Sequence, residues 1–172
     1  MLDTETTGLD SHTDRICELG FVLTDWRVIY GQLHSYVDPE IIFDNAYNSL
    51  NSKAVAGYPT FAQLLPWTYM LLLYADEYVA HNWLFDRGFL REELARCNLR
   101  LPRRDVYDTM KHSGGRKLSE ACAKAGVYTD DITWHSALGD AVACVRLAKT
   151  LRGSDPERER EGEGSISLVP RW

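Results

Sequence analysis

Two acidic residues with one residue between them are the first candidates for a chemical role in this sequence. Asp3 and Glu5 lie in the stretch DTETTG, where the threonines favour a β-strand and Gly8 favours a turn after it. Because successive side chains of a strand alternate between its two faces, both carboxylates should point to the same side. Two such groups share either a proton or a cation, whereas a pair of solvent-facing acids near a strand end would have no chemical role.

A second group of polar residues occupies the stretch HNWLFD, at positions 81–86. A short apolar strand precedes it and a helix follows, and α/β sheets commonly place their sites at such strand ends. Asp86 would begin the helix, where an acid can also simply complement the helix dipole. That simpler explanation does not account for His81 and Asn82 beside it.

The stretch HSALGD, at positions 135–140, adds a fourth acid. Asp140 lies among apolar residues of a predicted helix, and a carboxylate on such a face is costly to bury unless it is paired or bound to a metal. His135 precedes this helix. A histidine that only starts the helix is the simpler alternative to a catalytic one.

The elements that position these motifs follow from the hydrophobic pattern. Runs of β-branched and aromatic residues predict strands, and apolar residues three or four positions apart predict helices. One predicted strand ends at Asp3; the others cover 16–23 and 26–37, which form a hairpin, and 77–82 and 105–110, with a loop at 44–53. The predicted helices cover 59–74, with a break at Pro66, and 86–99, 117–127 and 137–153. Three successive strands, then strands alternating with helices, predict an α/β fold in which helices cover a mixed sheet.

The chain as a whole has the composition of one globular domain with a polar tail. Its 172 residues carry a formal net charge of −6, which argues against a broad basic surface that grips nucleic acid through phosphates alone. The net charge does not exclude an enzyme that acts on nucleic acid, because bound cations can reverse the charge of an acidic cleft. We predict a domain over residues 1–153 and a disordered tail over 154–172, which holds five acids and three arginines.

The spacing of the four cysteines indicates a reducing cellular compartment. They are far apart and form no CxxC pair, which favours reduced, buried thiols over a zinc cluster; they are Cys17, Cys97, Cys122 and Cys144. No signal peptide opens the sequence, and its most apolar run, MLLLY at 70–74, is too short to span a bilayer. The sequence therefore predicts a cytoplasmic protein.

The order and spacing of DTETTG, HNWLFD and HSALGD resemble the DnaQ-like family of 3′→5′ exonucleases, in the DEDDh subgroup named for its four acids and a histidine. The resemblance covers about residues 2–152, and PTF, VYDTM and KLSEACAKAGV are similar to the family's connecting segments. It implies an RNase H-like fold, with a mixed five-stranded sheet whose first three strands are antiparallel, flanked by α-helices.

The resemblance also implies a site and a reaction. Two divalent cations, Mg²⁺ or Mn²⁺, would be held by Asp3, Glu5, Asp86 and Asp140, with Asp3 bridging the pair. Two such cations clamp the attacking and leaving oxygens of an in-line displacement at phosphorus. His135 would act as general base on the attacking water, from a mobile position ahead of its helix. The product would be a nucleoside 5′-monophosphate released from a 3′ end.

Family position further implies contacts with the terminal nucleotide, by Thr6, the backbone at Thr7, the wedge residue Leu50, and Asn82 and Phe85 along the groove. Plain core packing is an equal alternative for Phe85. The sequence departs from the family at Asn48, where many members have a histidine that touches the substrate. Only Met1 and Leu2 precede Asp3, so we expect the strand that carries it to be short and to fray.

The leading prediction is a metal-dependent 3′→5′ exonuclease that acts on single-stranded DNA ends in proofreading or DNA repair, because DTETTG resembles those branches of the family. An exoribonuclease is the first alternative, since a sequence does not place the groups that meet a 2′-hydroxyl. A non-catalytic, polymerase-associated module that binds nucleic acid is the second. The tail ends in SISLVPRW, which is either a docking segment for a DNA polymerase or clamp or a functionless end. No membrane partner is expected.

Overall fold

A three-stranded antiparallel sheet carries the first acidic motif. The computed structural model describes residues 1–44 and 50–153. The sheet has the order β1–β2–β3, and its strands are β1 (Leu2–Thr6), β2 (Ile16–Thr24) and β3 (Ile29–Tyr36). Both pairings are antiparallel, so the predicted arrangement of the first three strands is confirmed.

Strand β1 is paired from its first residue, although we expected it to fray. The Met1 amino group donates a hydrogen bond to the Val22 carbonyl at 2.9 Å, and the Val22 amide donates to the Met1 carbonyl at 3.0 Å. Leu2 is only 2% exposed and belongs to the main hydrophobic core. Pairing and burial together hold the start of the strand in place.

The turn between β2 and β3 is longer than predicted. Strand β3 begins at Ile29 rather than at position 26, because Asp25 Oδ1 accepts hydrogen bonds from the Arg27 and Val28 amides at 2.9 Å. Trp26 inside this turn has a left-handed backbone with φ 74°, which a strand excludes.

Two shorter strands pair in parallel beside this sheet. They are β4 (Glu77–Ala80) and β5 (Asp105–Asp108), each shorter than predicted. Strand β1 lies next to β4, yet among the described residues no hydrogen-bond ladder joins the five strands into one continuous sheet. The Thr4 amide of β1 instead donates to the Asp86 carboxylate at 3.0 Å. The α/β class is confirmed, with the strands in an antiparallel group of three and a parallel pair.

Six helices surround the strands in the described parts of the chain. They are α1 (Ser52–Val55), α2 (Phe61–Tyr74), α3 (Trp83–Arg96), α4 (Thr109–His112), α5 (Leu118–Lys124) and α6 (Ala137–Gly153). Helix α3 begins and ends three residues before the predicted bounds of 86–99. Helices α5 and α6 lie in the predicted segments.

Two single-turn helices were predicted as other structure. Helix α1 starts inside the predicted loop at 44–53, and α4 replaces the end of the predicted strand at 105–110. In both cases a side chain starts the turn. Asn51 Oδ1 accepts from the amides of residues 53 and 54, and Asp108 Oδ1 accepts from the Met110 amide.

Helix α2 runs unbroken through Pro66, where we predicted a break. Thr60 and Gln63 form a capping box, in which Gln63 Oε1 accepts from the Thr60 amide at 2.9 Å. Pro66 removes one intrahelical hydrogen bond, whereas Phe61 and Leu72, each 1% exposed, hold the two halves against the core. Burial of both ends therefore outweighs the local cost of the proline.

Two glycines allow close backbone approaches at the start of helix α6: Gly20 lets the helix approach β2, and Gly139 lets its first turn approach the loop before it. A Cβ added at Gly20 of β2 would collide with the Ala137 carbonyl and the Leu138 amide, and one added at Gly139 would collide with the Thr133 carbonyl. The backbones can approach this closely only because both side chains are absent. This approach brings the residues around the start of α6 to β1 and β2.

Two predictions lie outside the described residues: the disordered tail at 154–172 and the departure from the family at Asn48. No helix in the described ranges has both the length and the apolar character needed to cross a membrane. All four cysteines are free, and Cys17, Cys122 and Cys144 are buried.

Candidate active site

Strand β1 presents Asp3 and Glu5 on one face. The other residues of the strand, Leu2, Thr4 and Thr6, are no more than 5% exposed, whereas both acids are partly exposed. The alternation of a strand therefore holds the two carboxylates on the same side, as their spacing predicts.

Asp86 reaches this cluster from the first turn of α3. It is 2% exposed, and its Oδ1 accepts hydrogen bonds from the Thr4 amide at 3.0 Å and from the Thr4 hydroxyl at 2.9 Å. These bonds tie the start of α3 to β1, beside Asp3. Asp86 is thus fixed by the neighbouring strand, and complementing the helix dipole does not explain its position.

The chain enters α3 through a cap that comes from β5. The Asp108 carboxylate accepts hydrogen bonds from the Asn82 amide at 3.1 Å and from the Trp83 amide at 3.2 Å. Asn82 has a left-handed backbone with φ 71°, a conformation that asparagine tolerates better than most residues. Asp108 therefore sets the direction of the first turn of α3 and with it the position of Asp86.

His135 and Asp140 come from the segment that leads into α6. His135 is exposed and has a left-handed backbone with φ 59°, and the Asp140 amide donates to the Ser136 carbonyl at 2.9 Å. One side-chain ligand atom from each of Glu5, His135 and Asp140 lies within 4.8 Å of the other two. The first and third acidic motifs of the sequence therefore meet in space.

Burial and mutual repulsion dominate the electrostatics of these acids. Burial, and after it the charges of Asp86 and Asp140, raise the pKa of Asp3 well above its usual value. Burial raises the pKa of Asp86 to about 7, despite the hydrogen bonds that this carboxylate accepts. Burial also raises the pKa of Asp140 to about 6, with Glu5 adding to the shift and His135 opposing it. Full ionisation of the bare cluster is therefore unfavourable.

The donor set of this cluster fits hard divalent cations. Asp140 Oδ1 is buried and has no hydrogen-bond partner among the described residues. A buried carboxylate oxygen without a donor is costly, and a cation would satisfy it while relieving the repulsion between its neighbours. Oxygen-rich sets of this kind suit ions such as Mg²⁺ and Mn²⁺. The acids of β1, Asp86 and Asp140 can together supply the ligands.

Comparison with known proteins decides the family. The RNase T family model, described as "Exonuclease", matches residues 1–148, which include all four acids and His135. The chain belongs to the DnaQ-like 3′→5′ exonuclease family. The predictions of this family and of an exonuclease enzyme are confirmed at that level, and dependence on divalent metals is typical of the family.

Relatives of this exonuclease include replication proteins and a ribonuclease. The DNA polymerase III subunit epsilon of Escherichia coli (strain K12) is 25% identical over 199 residues, which cover 99% of this chain and 82% of the subunit. The PolC-type DNA polymerase III of Clostridium perfringens is 33% identical over 161 residues, which cover 87% of this chain but 11% of the polymerase. Ribonuclease T of Shewanella baltica (strain OS155) is 27% identical over 173 residues, which cover 86% of this chain and 78% of that enzyme.

Solved structures agree on the fold. Exonuclease X in complex with 5′ overhanging duplex DNA superposes with a TM-score of 0.70 at 23% identity, covering 90% of both chains. The zinc-bound complex of E. coli exonuclease I with single-stranded DNA superposes with a TM-score of 0.77 at 14% identity, covering 91% of this chain and 40% of that one. These neighbours confirm the RNase H-like fold of the exonuclease.

The two threonines predicted to meet the substrate are engaged within the protein. Thr6 Oγ1 donates to the Gly8 carbonyl at 2.6 Å, on the face of β1 opposite Glu5. Thr7 Oγ1 donates to Asp14 Oδ1 at 3.2 Å. Both hydroxyls therefore shape the turn after β1.

The other three predicted contacts lie in different surroundings. Phe85 packs on Phe89 with ring centroids 4.9 Å apart and joins the main core while keeping a partly exposed edge, so both of its predicted roles remain compatible with its position. Asn82 is partly buried at the turn into α3. Leu50 is partly exposed and directly follows residues 45–49, which lie outside the described ranges.

Glu18 is an acid of this site that sequence reasoning missed. It lies opposite Glu5 in the register of β1 and β2, and it is 2% exposed. Glu18 Oε1 lies 2.7 Å from His34 Nε2 and accepts a hydrogen bond from Ser136 Oγ at 3.3 Å. The available signal was a single acid inside the buried run ICELGF. Glu18 links the middle strand of the sheet to the segment that carries His135.

Proposed function

We propose that this domain is an active, metal-dependent 3′→5′ exonuclease that removes nucleotides from single-stranded DNA ends. The observation that carries the proposal is the convergence of Glu5, His135 and Asp140 within 4.8 Å, beside Asp3 and Asp86. A non-catalytic module on the same fold would have no need to keep all five residues. Their joint retention supports an enzyme.

Asp3, Glu5, Asp86 and Asp140 would hold two divalent cations, with Mg²⁺ or Mn²⁺ as the proposed ions. When bound, the cations supply Lewis-acid stabilisation of the charge that develops at the scissile phosphate. The chain itself keeps the ligands in place. Thr4 fixes Asp86 by two hydrogen bonds, and the pleat of β1 fixes the other two early acids.

His135 would accept the proton of the attacking water. Its side chain is exposed at the rim of the cluster, so the imidazole can take up a proton and pass it to solvent. Attack of water at the terminal phosphorus breaks the bond to the O3′ of the preceding nucleotide. The products are a nucleoside 5′-monophosphate and a strand that is one nucleotide shorter and ends in a 3′-hydroxyl.

Single-stranded DNA is the proposed substrate. Support comes from the relatives named as DNA polymerase III subunits and from fold neighbours solved with DNA. The backbone of residues 6 and 7, with Asn82, the exposed edge of Phe85 and Leu50, would contact the terminal nucleotide. Stacking on an aromatic edge tolerates any base, which suits an enzyme without sequence preference.

An exoribonuclease is the second candidate. The ribonuclease T relative, whose match covers 86% of this chain, favours it. The phosphorus chemistry is the same for both polymers, and the difference lies in room for, and donors to, the 2′-hydroxyl.

We further propose a role in proofreading or DNA repair, in the cytoplasm, with a DNA polymerase or clamp as partner through residues 154–172. The epsilon-subunit relatives support the association, and four free cysteines fit a reducing compartment. The chain corresponds to 11% of the length of the PolC-type polymerase, so only the exonuclease activity is proposed here, without polymerisation.

The test uses 5′-labelled single-stranded DNA and RNA of the same sequence. With Mg²⁺ or Mn²⁺ the wild-type protein should produce a ladder that shortens from the 3′ end, together with nucleoside 5′-monophosphates, and EDTA should abolish it. Asp140→Asn should produce no ladder. The matched control Asp131→Asn, in an exposed ion pair with Arg146, should degrade DNA at the wild-type rate.

Three outcomes would decide against parts of this proposal. Binding without degradation would indicate the non-catalytic module. Immediate release of the labelled 5′ nucleotide would show that degradation starts from the 5′ end. Faster degradation of RNA than of DNA would indicate the exoribonuclease.

A further inference from the structure

A groove rich in arginine lies on one flank of α3, outside the acidic cluster. Its volume is about 720 Å³, and α3 and the segment 99–106 form its walls. Among the described residues that line it, Glu92 alone is acidic. We call it the arginine groove after the side chains of Arg87, Arg91, Arg100, Arg103 and Arg104. In a chain whose formal net charge is −6, it is a local reversal of sign.

Most of this positive charge is not neutralised within the described parts of the protein. Arg104 has a structural role, because its guanidinium donates to the Leu73 and Ala75 carbonyls at 2.5 Å. The remaining guanidinium groups are exposed, and no described ion pair engages them; they belong to Arg87, Arg91, Arg100 and Arg103. Like charges held along one groove repel each other, and a bound anion would stabilise them.

The spacing of the groove fits a repeating anion. Arg87 and Arg91 are about one helical turn apart, which is about 6 Å of rise, and the stretch of α3 from Trp83 to Ala95 is about 18 Å long. Each strand of duplex DNA carries a negative charge about every 3.4 Å of helix axis, so the two guanidinium groups would match about every second phosphate. Guanidinium groups bind phosphate in a bidentate geometry, and exposed apolar surface between them, such as that of Val106, suits sugar.

The groove begins within a helical turn of the acidic cluster. Phe85 and Arg87 flank Asp86 in sequence, and consecutive helix residues point about 100° apart, so these two side chains lie on opposite sides of Asp86. The groove therefore does not hold the terminal nucleotide. We infer that it binds the phosphate backbone of the nucleic acid beyond the terminal nucleotides, a ligand class that rests on the proposed nuclease function.

Two strands can supply this backbone. One is the strand under degradation, upstream of its 3′ end, and the other is the complementary strand of a duplex. An acidic segment of a protein would also meet the arginines. Nucleic acid is favoured because a substrate bound in the active site keeps its own phosphates within reach of the groove at high local concentration.

The experiment measures binding in EDTA, where no degradation occurs, by fluorescence anisotropy at NaCl concentrations from about 25 to 200 mM. The probes are a labelled thymidine tetranucleotide, a labelled thymidine 20-mer, and a labelled duplex with a four-nucleotide 3′ tail. Two double variants remove charge from opposite walls: Arg87→Gln/Arg91→Gln and Arg100→Gln/Arg103→Gln. The matched control, Arg27→Gln/Lys149→Gln, removes the same charge from exposed positions outside the groove.

Each groove variant should bind a long probe at least about 10-fold more weakly at low salt. Two lost phosphate contacts should reduce the salt-dependence slope by about 1.4 on a single strand and by about 1.8 on a duplex. The tetranucleotide and the control variant should show wild-type behaviour. Weaker binding of the 20-mer by the groove variants would show that the groove binds the strand under degradation. Weaker binding of the duplex alone would show that it binds the complementary strand. Either result supports the inference.

Groove variants that bind every probe like the wild type would overturn the inference and point to an acidic protein segment instead. Absence of wild-type binding to all probes would overturn it as well. If the wild type binds DNA through the groove but fails to degrade labelled strands, the proposed nuclease function is wrong, whereas the inference that the groove binds nucleic acid holds. Unchanged melting temperatures of the variants exclude unfolding as the cause.

Discussion

The Ser136 hydroxyl donates a hydrogen bond to Glu18 Oε1 over 3.3 Å, which fastens the residue beside His135 to the middle strand of the sheet. Glu18 is buried and also contacts His34 on the next strand at 2.7 Å. His135 itself is exposed and has a left-handed backbone. The side chain of the proposed base is thus exposed, and its backbone is anchored through the neighbouring residue.

Removal of this anchor should slow catalysis and leave the cation ligands in place. Ser136→Ala removes the hydrogen bond to Glu18 and the acceptor that faces the Gly139 amide. Because misplacement of a catalytic group by a fraction of an ångström is costly, we expect kcat to fall about 10-fold. Initial rates over a range of Mg²⁺ concentrations check this, and half-maximal activation should not move. Ser136→Thr keeps the hydroxyl and should restore most of the rate; full activity of Ser136→Ala would show that the anchor has no catalytic role.

Loss of the proposed base should affect turnover far more than cation binding. We predict that His135→Ala lowers kcat by about 10²–10⁴-fold, because positioned proton transfer contributes that much. The rise in melting temperature on addition of Mn²⁺ should persist, since the four acids are unchanged. His12→Ala is the matched control, because the His12 side chain is 78% exposed. Wild-type turnover of His135→Ala would remove this residue from the mechanism.

Without cations, the acidic cluster should make the protein less stable as pH rises. An unfolded aspartate has a pKa of about 3.9, whereas the folded-state pKa is about 7 for Asp86 and about 6 for Asp140. Between these values the folded protein binds more protons than the unfolded chain, so the free energy of unfolding falls as pH increases from about 4 to about 7. The raised pKa of Asp3 acts in the same direction, and Asp140→Asn removes one of these contributions.

Thermal unfolding in EDTA measures this pH dependence. The melting temperature of Asp140→Asn should exceed that of the wild type by a margin that grows from about pH 5 to about pH 8. Saturating Mg²⁺ at the higher pH should restore the melting temperature that the wild type loses there in EDTA. A margin that shrinks as pH increases would mean that Asp140 is not a buried, repelled carboxylate in the cation-free protein.

The close approach of the first turn of α6 to the loop before it should not tolerate a methyl group. Gly139→Ala places a Cβ against the Thr133 carbonyl, and we expect a loss of about 1–3 kcal/mol in the free energy of unfolding, measured by chemical denaturation. Gly31→Ala is the matched control, because nothing lies within 4 Å of its added Cβ. Equal stabilities of the two variants would contradict the tight packing at the start of α6.

The residues of the cluster were predictable because local rules indicate where each motif lies and the resemblance to the family joins the three motifs into one site. The spacing of Asp3 and Glu5 puts them on one face of a strand, and HNWLFD and HSALGD each lie where an element begins. Glu18 and Asp108 were missed for the opposite reason. Each acts through hydrogen bonds to distant segments, which no local pattern reveals.

The errors in the predicted elements have one tertiary and one local origin. Pro66 is tolerated because the burial of α2 outweighs its local cost, and the single-turn helices α1 and α4 depend on one capping side chain each. The Thr6 hydroxyl donates to the Gly8 carbonyl two residues later in the sequence, and its contact with substrate stays a prediction. Tertiary packing decided the continuity of α2, and local capping decided the two single-turn helices.

The most direct measurement of the proposed cation site compares thermal unfolding of the wild type and of Asp3→Asn, each in EDTA and in excess Mn²⁺ or Mg²⁺. Cation binding to the folded cluster should raise the wild-type melting temperature by about 5–10 °C at roughly 100-fold saturation. Asp3→Asn, which lacks one of the proposed cation ligands, should gain little from either ion while remaining at least as stable as the wild type in EDTA. A wild-type melting temperature that is indifferent to both ions would contradict the cation site and the proposed mechanism with it.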